Sequence, residues 1–92
     1  MLKDIISVQA IGPHQLHLRF EDGIEGTIDL TKIITFSGIF SPLQDPHYCA
    51  TVQVNPELGT VVWENGADLD PDVLYAIVTQ TTIPDYTALQ LI

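Results

Sequence analysis

The sequence predicts an α+β fold. Its sheet is small and antiparallel and is built from a first strand and two β-hairpins, with short helical turns in the middle and one C-terminal amphipathic helix at about residues 71–79. Three observations support this prediction. Polar and apolar side chains alternate on both sides of an Asp-Gly turn. Two further β-branched segments flank an Asn-Pro turn, and a helix start signal then precedes an apolar stripe at helical spacing.

Three strands are predicted in the first third of the chain. The first is rich in β-branched residues and stops at a Gly-Pro turn signal. The second alternates strictly, with His17 and Arg19 between apolar residues, and the third repeats the alternation with Glu25 and Thr27 on its polar side. The predicted strands are residues 4–11, 15–20 and 24–30.

The turn of the first hairpin follows from side-chain parity. A two-residue Asp22-Gly23 loop would place Phe20 and Ile24 on opposite faces, whereas a three-residue loop starting at Glu21 keeps every apolar residue on one face. The longer loop also places Gly23 where a G1 bulge needs a left-handed residue. We therefore predict the three-residue loop, with Leu16 opposite Ile28, Leu18 opposite Gly26 and Arg19 opposite Glu25.

The middle of the chain predicts one or two short helical turns. Ser41 is placed to cap a helix, because proline follows it and Gln44 lies three residues after it, as in a capping box. Asp45-Pro46 then restarts or ends this turn.

A second hairpin is predicted from residues 50–54 and 60–64, around a turn that Asn55 opens and Gly59 closes. A four-residue and a five-residue loop place different side chains in the core. The sequence leaves both open, and with them the choice between Val61 with Trp63 and Val62 as the core-facing residues.

The segment "WENGADLDPDVLY" predicts the start of the helix. Asp70 is the expected N-cap, Pro71 occupies the first helical position, and Asp72 complements the helix dipole. Leu69 and Leu74 are spaced for a hydrophobic staple. The apolar stripe that follows consists of Val73, Leu74, Ile77 and Val78.

The same segment fails as a calcium loop, although Asp68, Asp70 and Asp72 alternate as its first ligands do. Val73 stands where the loop needs glycine, and Thr79 stands where it needs glutamate. No histidine pair has metal-ligand spacing, and His47 two residues before Cys49 is more often an ordinary arrangement than a catalytic dyad. We therefore expect no metal, no cofactor and no catalytic residue.

The composition is strongly acidic, with twelve acidic and three basic residues and a net charge of −9. Nucleic acids and anionic membranes attract basic proteins, so neither is an expected partner. A basic protein partner fits this charge, and solubility alone explains it equally well. One cysteine, no secretory signal and no apolar run of membrane-spanning length favour a single cytoplasmic domain over residues 1–92.

Three successive segments carry a family resemblance: "LHLRFEDGIEGTIDL", "GIFSPLQDPHY" and "VVWENGADLDPDVLY". Their order and spacing resemble the small bacterial family DUF2442. The positions that match are Phe20, Asp22, Gly23, Asp29, Leu30, Phe40, Leu43, Asp45, Pro46, Trp63, Asn65, Gly66, Asp68, Leu69, Pro71, Leu74 and Tyr75. The resemblance implies a small α+β fold without an assigned activity. Some members of that family carry a helix-turn-helix domain, and some resemble the antitoxin of a toxin–antitoxin pair.

The leading hypothesis is a non-enzymatic protein-binding or regulatory module, antitoxin-like by this analogy. Its candidate partner-binding residues lie on the polar strand face and in the acidic loop before the helix. They are His17, Arg19, Glu25, Trp63, Asp68 and Asp72.

Two alternatives remain from the sequence. One is a small ligand-binding domain or enzyme with a cleft near Trp63, His47 and Asp68. The other is a structural homo-oligomer, a homodimer for example, formed through the apolar tail that follows Pro84.

Overall fold

The computed structural model describes residues 3–79, and its α+β fold confirms the predicted class. The five strands, in chain order, are β1 (Ile5–Gly12), β2 (Gln15–Phe20), β3 (Glu25–Asp29), β4 (Gln53–Asn55) and β5 (Thr60–Val62). The α-helices are α1 (Pro46–Cys49) and α2 (Pro71–Thr79), and two 3-10 helices cover Leu30–Lys32 and Gly38–Gln44. No helix within residues 3–79 is long and apolar enough to cross a membrane.

The strands form two antiparallel sheets instead of the single sheet that the sequence suggested. One has the order β1-β2-β3, and the other is the β4-β5 hairpin. The register of β1 shifts between Ile5 and Ser7, and a bulge of this kind bends a strand and interrupts its pairing. A backbone hydrogen bond of 2.8 Å from Ile5 N–H to the Gly59 carbonyl connects the two sheets.

The first hairpin has the predicted three-residue loop and register. Leu16 pairs with Ile28, Leu18 with Gly26 and Arg19 with Glu25. Phe20 N–H donates to the Ile24 carbonyl at 2.8 Å, and Gly23 has a left-handed φ of 90°. The apolar side chains of β2 are fully buried as a result.

The predicted helical turns are present, but Ser41 does not cap them. The 3-10 helix begins after Ser37, so that Ser41 and Pro42 lie inside it. A capping residue followed by proline occurs again four residues later, where the Asp45 carboxylate accepts from His47 N–H at 2.9 Å and Pro46 begins α1. The pattern of a capping residue followed by proline therefore fits both Ser41 and Asp45, and the structure uses Asp45 as the cap.

The second hairpin has a four-residue loop, because Asn55 pairs with Thr60. This register places Val61 and Trp63 in the core, with 0% and 3% of their surface exposed, while Val62 is half-buried on the opposite face. The loop length therefore decides the question that the sequence left open.

Helix α2 has the predicted bounds and the predicted cap. The Asp70 carboxylate accepts from Asp72 N–H at 2.9 Å. Of the predicted stripe, Leu74 is buried, and Ile77 and Val78 pack against the core. Tyr75 also packs against the core, and Ala76 is buried, so the inward face is rotated from the predicted one. The apolar tail after Pro84 lies outside the described residues.

Helix α2 lies close to β3 at Gly26. A Cβ atom at this position would lie 2.7 Å from Cγ1 of Val78, which is shorter than any ordinary carbon–carbon contact. Glycine is therefore required here by the proximity of the helix, since its φ is not in the left-handed range.

We predict that Gly26→Ala lowers the free energy of unfolding by about 1–3 kcal/mol, because the added methyl forces Val78 and the helix outward. Urea unfolding measures this loss. Gly12→Ala is the matched control, since its nearest neighbour is the Gln15 Oε1 atom at 3.2 Å, at the end of a flexible side chain. Val78→Ala should relieve most of the strain. If Gly26→Ala lowers the free energy of unfolding by the same amount in the wild-type protein and in the Val78→Ala variant, this explanation is contradicted.

Candidate functional site

The polar face of the first sheet has His17 at its centre. The imidazole Nε2 lies 2.8 Å from Glu25 Oε1, and Nδ1 lies 3.3 Å from the Thr27 hydroxyl. These contacts fit an imidazole that donates from Nε2 to the carboxylate and accepts the threonine proton at Nδ1. The His17 hydrogen bond is the largest of the influences that lower the pKa of Glu25, and the nearby Arg19 charge adds to it.

Arg19 lies directly opposite Glu25, as predicted, and its side chain is exposed. The short contact with the Glu25 carboxylate nevertheless comes from His17, on the next position of the polar face. The structure therefore brings the candidates His17, Arg19 and Glu25 together on one open surface.

A hydroxyl, an imidazole and a carboxylate in this order are the groups used to activate a nucleophile. Here they lie on the exposed face of a sheet. Thr27 is exposed, and neither of the two cavities described below includes Thr27, His17 or Glu25. Within residues 3–79, the arrangement lacks the enclosure that such chemistry uses to exclude water.

The acidic loop, defined as residues 63–72 from the end of β5 to the first turn of α2, exposes its carboxylates while its backbone is firmly held. The Asn65 side chain donates to the Ile39 carbonyl at 2.8 Å, and Asn65 N–H donates to the Tyr48 hydroxyl at 3.1 Å. Asp68 forms a backbone bridge with Val62, so the backbone that carries the Asp68 side chain is held in place. Asp68 and Asp72 are both exposed.

Trp63 has a structural role that the sequence did not reveal. Its indole N–H donates to the Cys49 carbonyl at 3.0 Å, and its surface is 3% exposed. The ring therefore joins the second hairpin to α1 and offers almost no surface to a partner. Burial also raises the pKa of the Cys49 thiol, which disfavours the reactive thiolate.

The structure does not assemble the cleft of Trp63, His47 and Asp68. The His47 side chain is fully exposed, with its Nδ1 3.5 Å from the Asp45 carboxylate, whereas Cys49 is buried. A cavity of about 230 Å³ does adjoin Trp63, but His47 and Asp68 are not among its lining residues. Those residues are Thr51, Gln53, Val62, Trp63 and Glu64.

A second cavity, of about 210 Å³, lies where the two sheets meet. It is mostly apolar and is lined by Asp4, Ile5, Ile6, Val54, Pro56 and Gly59. Among the described residues, no three histidine, cysteine, aspartate or glutamate side chains are grouped to hold a metal ion.

A contact between Tyr75 and Asp22 was missed because the two residues are far apart in sequence. The Tyr75 hydroxyl donates to Asp22 Oδ2 at 2.6 Å, and the Tyr75 ring meets Phe20 edge to face at 5.0 Å. This hydrogen bond is the main reason that the pKa of Asp22 is lowered and the pKa of Tyr75 is raised. All three residues lie in the segments that carry the family resemblance, and that was the only available signal for their contact.

The family model described as "Protein of unknown function (DUF2442)" matches residues 5–80 of the chain. No curated protein and no solved structure matches it.

We predict that Tyr75→Phe raises the pKa of Asp22 toward the ordinary aspartate value, because the mutation removes the hydrogen bond that favours the carboxylate. Carboxyl NMR titration measures this shift. The pKa of Asp29, which Thr31 lowers by its hydrogen bonds, is the internal control and should not change. An unchanged Asp22 pKa would rule out the contact.

The lowered pKa values also predict the direction of the pH dependence of stability. Asp22, Glu25 and Asp29 have a lower pKa in the folded protein than in the unfolded chain. The stability that these three carboxylates contribute is therefore complete above their pKa values in the unfolded chain, near pH 4. It is lost as the pH falls through their pKa values in the folded protein. Denaturant unfolding between pH 3 and 6 should show a smaller loss toward acid for Tyr75→Phe than for the wild type. An identical acid dependence would contradict a role for Asp22.

Proposed function

The chain belongs to the DUF2442 family, whose description assigns no activity, and we propose that it is a non-enzymatic binding module for a more basic protein. The acidic loop is the main contact surface in this proposal, with Asp68 and Asp72 as its principal charges. The polar strand face of His17, Arg19 and Glu25 has a secondary role.

The distribution of charge is the observation that carries the proposal. All three basic residues lie within the first 32 positions, whereas residues 33–79 contain six carboxylates and no lysine or arginine. These six side chains are all exposed, and none has a lysine or arginine partner in the part of the chain that the structure describes. They are Asp45, Glu57, Glu64, Asp68, Asp70 and Asp72.

A surface of one sign attracts a partner of the opposite sign and disfavours like-charged ones. The loop is suited to this role because its backbone is held by Asn65, so little conformational entropy is lost when a partner binds. The polar strand face is less suited, since the Arg19 charge lies near Glu25 and His17 already hydrogen-bonds the Glu25 carboxylate.

The described residues favour binding over catalysis. Of the three carboxyls with lowered pKa values, Asp22 and Glu25 are exposed and Asp29 is half-buried, and hydrogen bonds to immediate neighbours or to Tyr75 account for their shifts. Such shifts stabilise the charged form and do not produce an acid or base with a pKa near neutrality.

The specific form of the proposal is antitoxin-like, by analogy with the family. The partner is then a basic toxin encoded beside this chain, and both proteins are cytoplasmic. Direct nucleic-acid binding is not part of this function, because only three basic residues are available for phosphate contacts.

We predict that the protein forms a complex with a basic protein encoded next to it, and that the complex weakens as the salt concentration rises. Asp68→Asn with Asp72→Asn should weaken binding about tenfold, measured by calorimetry at fixed salt. Glu21→Gln with Glu57→Gln is the matched control, since it removes the same charge from the turns of the two hairpins, outside both contact surfaces. The control should change the affinity less than threefold.

Equal weakening by the two double variants would contradict the acidic loop as the contact surface. Failure of every adjacent basic product to bind the wild-type protein, at low and at moderate salt, would contradict the proposed function itself. Rescue of growth by co-expression, when the neighbouring protein is toxic, distinguishes an antitoxin from other binding modules.

A further inference from the structure

We propose that the cavity beside β5 binds the guanidinium group of an arginine, presented by the basic protein partner. We call it the hairpin cavity because it adjoins the second hairpin. Its lining residues are Thr51, Gln53, Val62, Trp63 and Glu64. The inference rests on the proposed function and identifies the partner side chain that the site recognises.

The hairpin cavity lies on the outer face of the second hairpin. Gln53 and Val62 are directly opposite each other in the register, and Thr51 and Glu64 lie two residues further along the two chain segments. Gln53 and Val62 therefore share one face of the hairpin, and Thr51 and Glu64 line the same cavity from the adjoining turns. Trp63 lies between Val62 and Glu64 but directs its indole to the Cys49 carbonyl on the core side. The chemistry of the cavity therefore comes from the other four residues.

These four side chains offer hydrogen-bond acceptors beside an apolar surface. The Glu64 carboxylate and the Gln53 amide make no hydrogen bond within residues 3–79, so both oxygens are available. The Thr51 hydroxyl donates to the Tyr48 carbonyl at 2.7 Å, and its own lone pairs remain free to accept. Val62 is half-buried and supplies the apolar contact.

A guanidinium group matches this set of partners better than other charged groups do. It has five N–H donors in one plane and no acceptor, so one group donates to Glu64 and to Gln53 together. Its methylene stem packs on an apolar surface such as Val62. A carboxylate or phosphate would be repelled by Glu64. An ammonium group has the correct charge but lacks the planar donor geometry.

The charge around the hairpin cavity supports the same assignment. No lysine or arginine occurs between residues 33 and 79, so none from this part of the chain competes for Glu64. Asp68 pairs through its backbone with Val62, which places a further exposed carboxylate beside the cavity lining. A partner protein whose arginine binds in the cavity is therefore positioned next to the acidic loop.

The test uses the full chain and N-acetyl-arginine amide as the probe, followed by amide NMR shifts. We expect saturable shifts at residues 51–64 with a dissociation constant on the order of 1 mM, as is typical of one small charged ligand. N-acetyl-citrulline amide, which has the same shape without the charge, should bind at least tenfold more weakly. Glu64→Gln should weaken arginine binding about tenfold, since a charge-assisted hydrogen bond is lost.

Glu57→Gln is the matched control, because it removes an identical charge from the turn of the same hairpin, outside the cavity. It should change arginine binding less than twofold. Equal effects of the two substitutions would mean general electrostatic attraction and would overturn the proposal. Binding of N-acetyl-lysine amide as tight as that of the arginine probe would overturn the guanidinium assignment, as would shifts that do not saturate.

The outcomes separate this inference from the proposed function. If a basic partner binds and Gln53→Ala with Glu64→Gln leaves its affinity unchanged, the arginine site is wrong and the binding module stands. If the arginine probe binds as expected and no adjacent basic protein does, the cavity assignment stands and its proposed partner is wrong.

Discussion

The position of α2 on the first sheet is the constraint on which the rest of the structure depends. Leu74 and Ala76 complete the core only because the helix lies close against β3, and the missing side chain of Gly26 allows this approach. The Tyr75 hydroxyl then fixes the helix to the turn of the first hairpin through Asp22, 53 residues earlier in the chain. The first hairpin and the last described element are thereby held together, and the second hairpin and its acidic loop lie between them in sequence with both ends anchored.

Sequence reasoning succeeded where a structural choice depends on neighbouring residues. The register of the first hairpin followed from alternation around Gly23, and the bounds of α2 followed from Asp70 and Pro71. It failed where distant segments compete. Ser41 and Asp45 offered equivalent caps, and the structure uses Asp45, with Leu43 and Cys49 buried on either side of it. The separation into two sheets accompanies a register shift in β1, which the amino-acid sequence does not mark.

The candidate site was predictable only where it depends on residues that are close in sequence. Asp22, Asp29, Asp45 and Asp70 each accept a hydrogen bond from a backbone N–H nearby, so these aspartates stabilise turns and caps. Asp68 and Asp72 are exposed, and their role in partner binding stays a prediction, whereas Trp63 proved to be a core residue. The hairpin cavity could not be predicted, because it exists only in the register that places Gln53 opposite Val62.

The hydrogen bond between Trp63 and Cys49 brings together the single tryptophan and the single cysteine of the chain. Both side chains are buried at the junction of the second hairpin and α1. Any local opening of this junction exposes the indole to water and the thiol to alkylating reagents in the same event. The protein therefore contains two intrinsic spectroscopic and chemical reporters of one conformational fluctuation, and neither requires an engineered label.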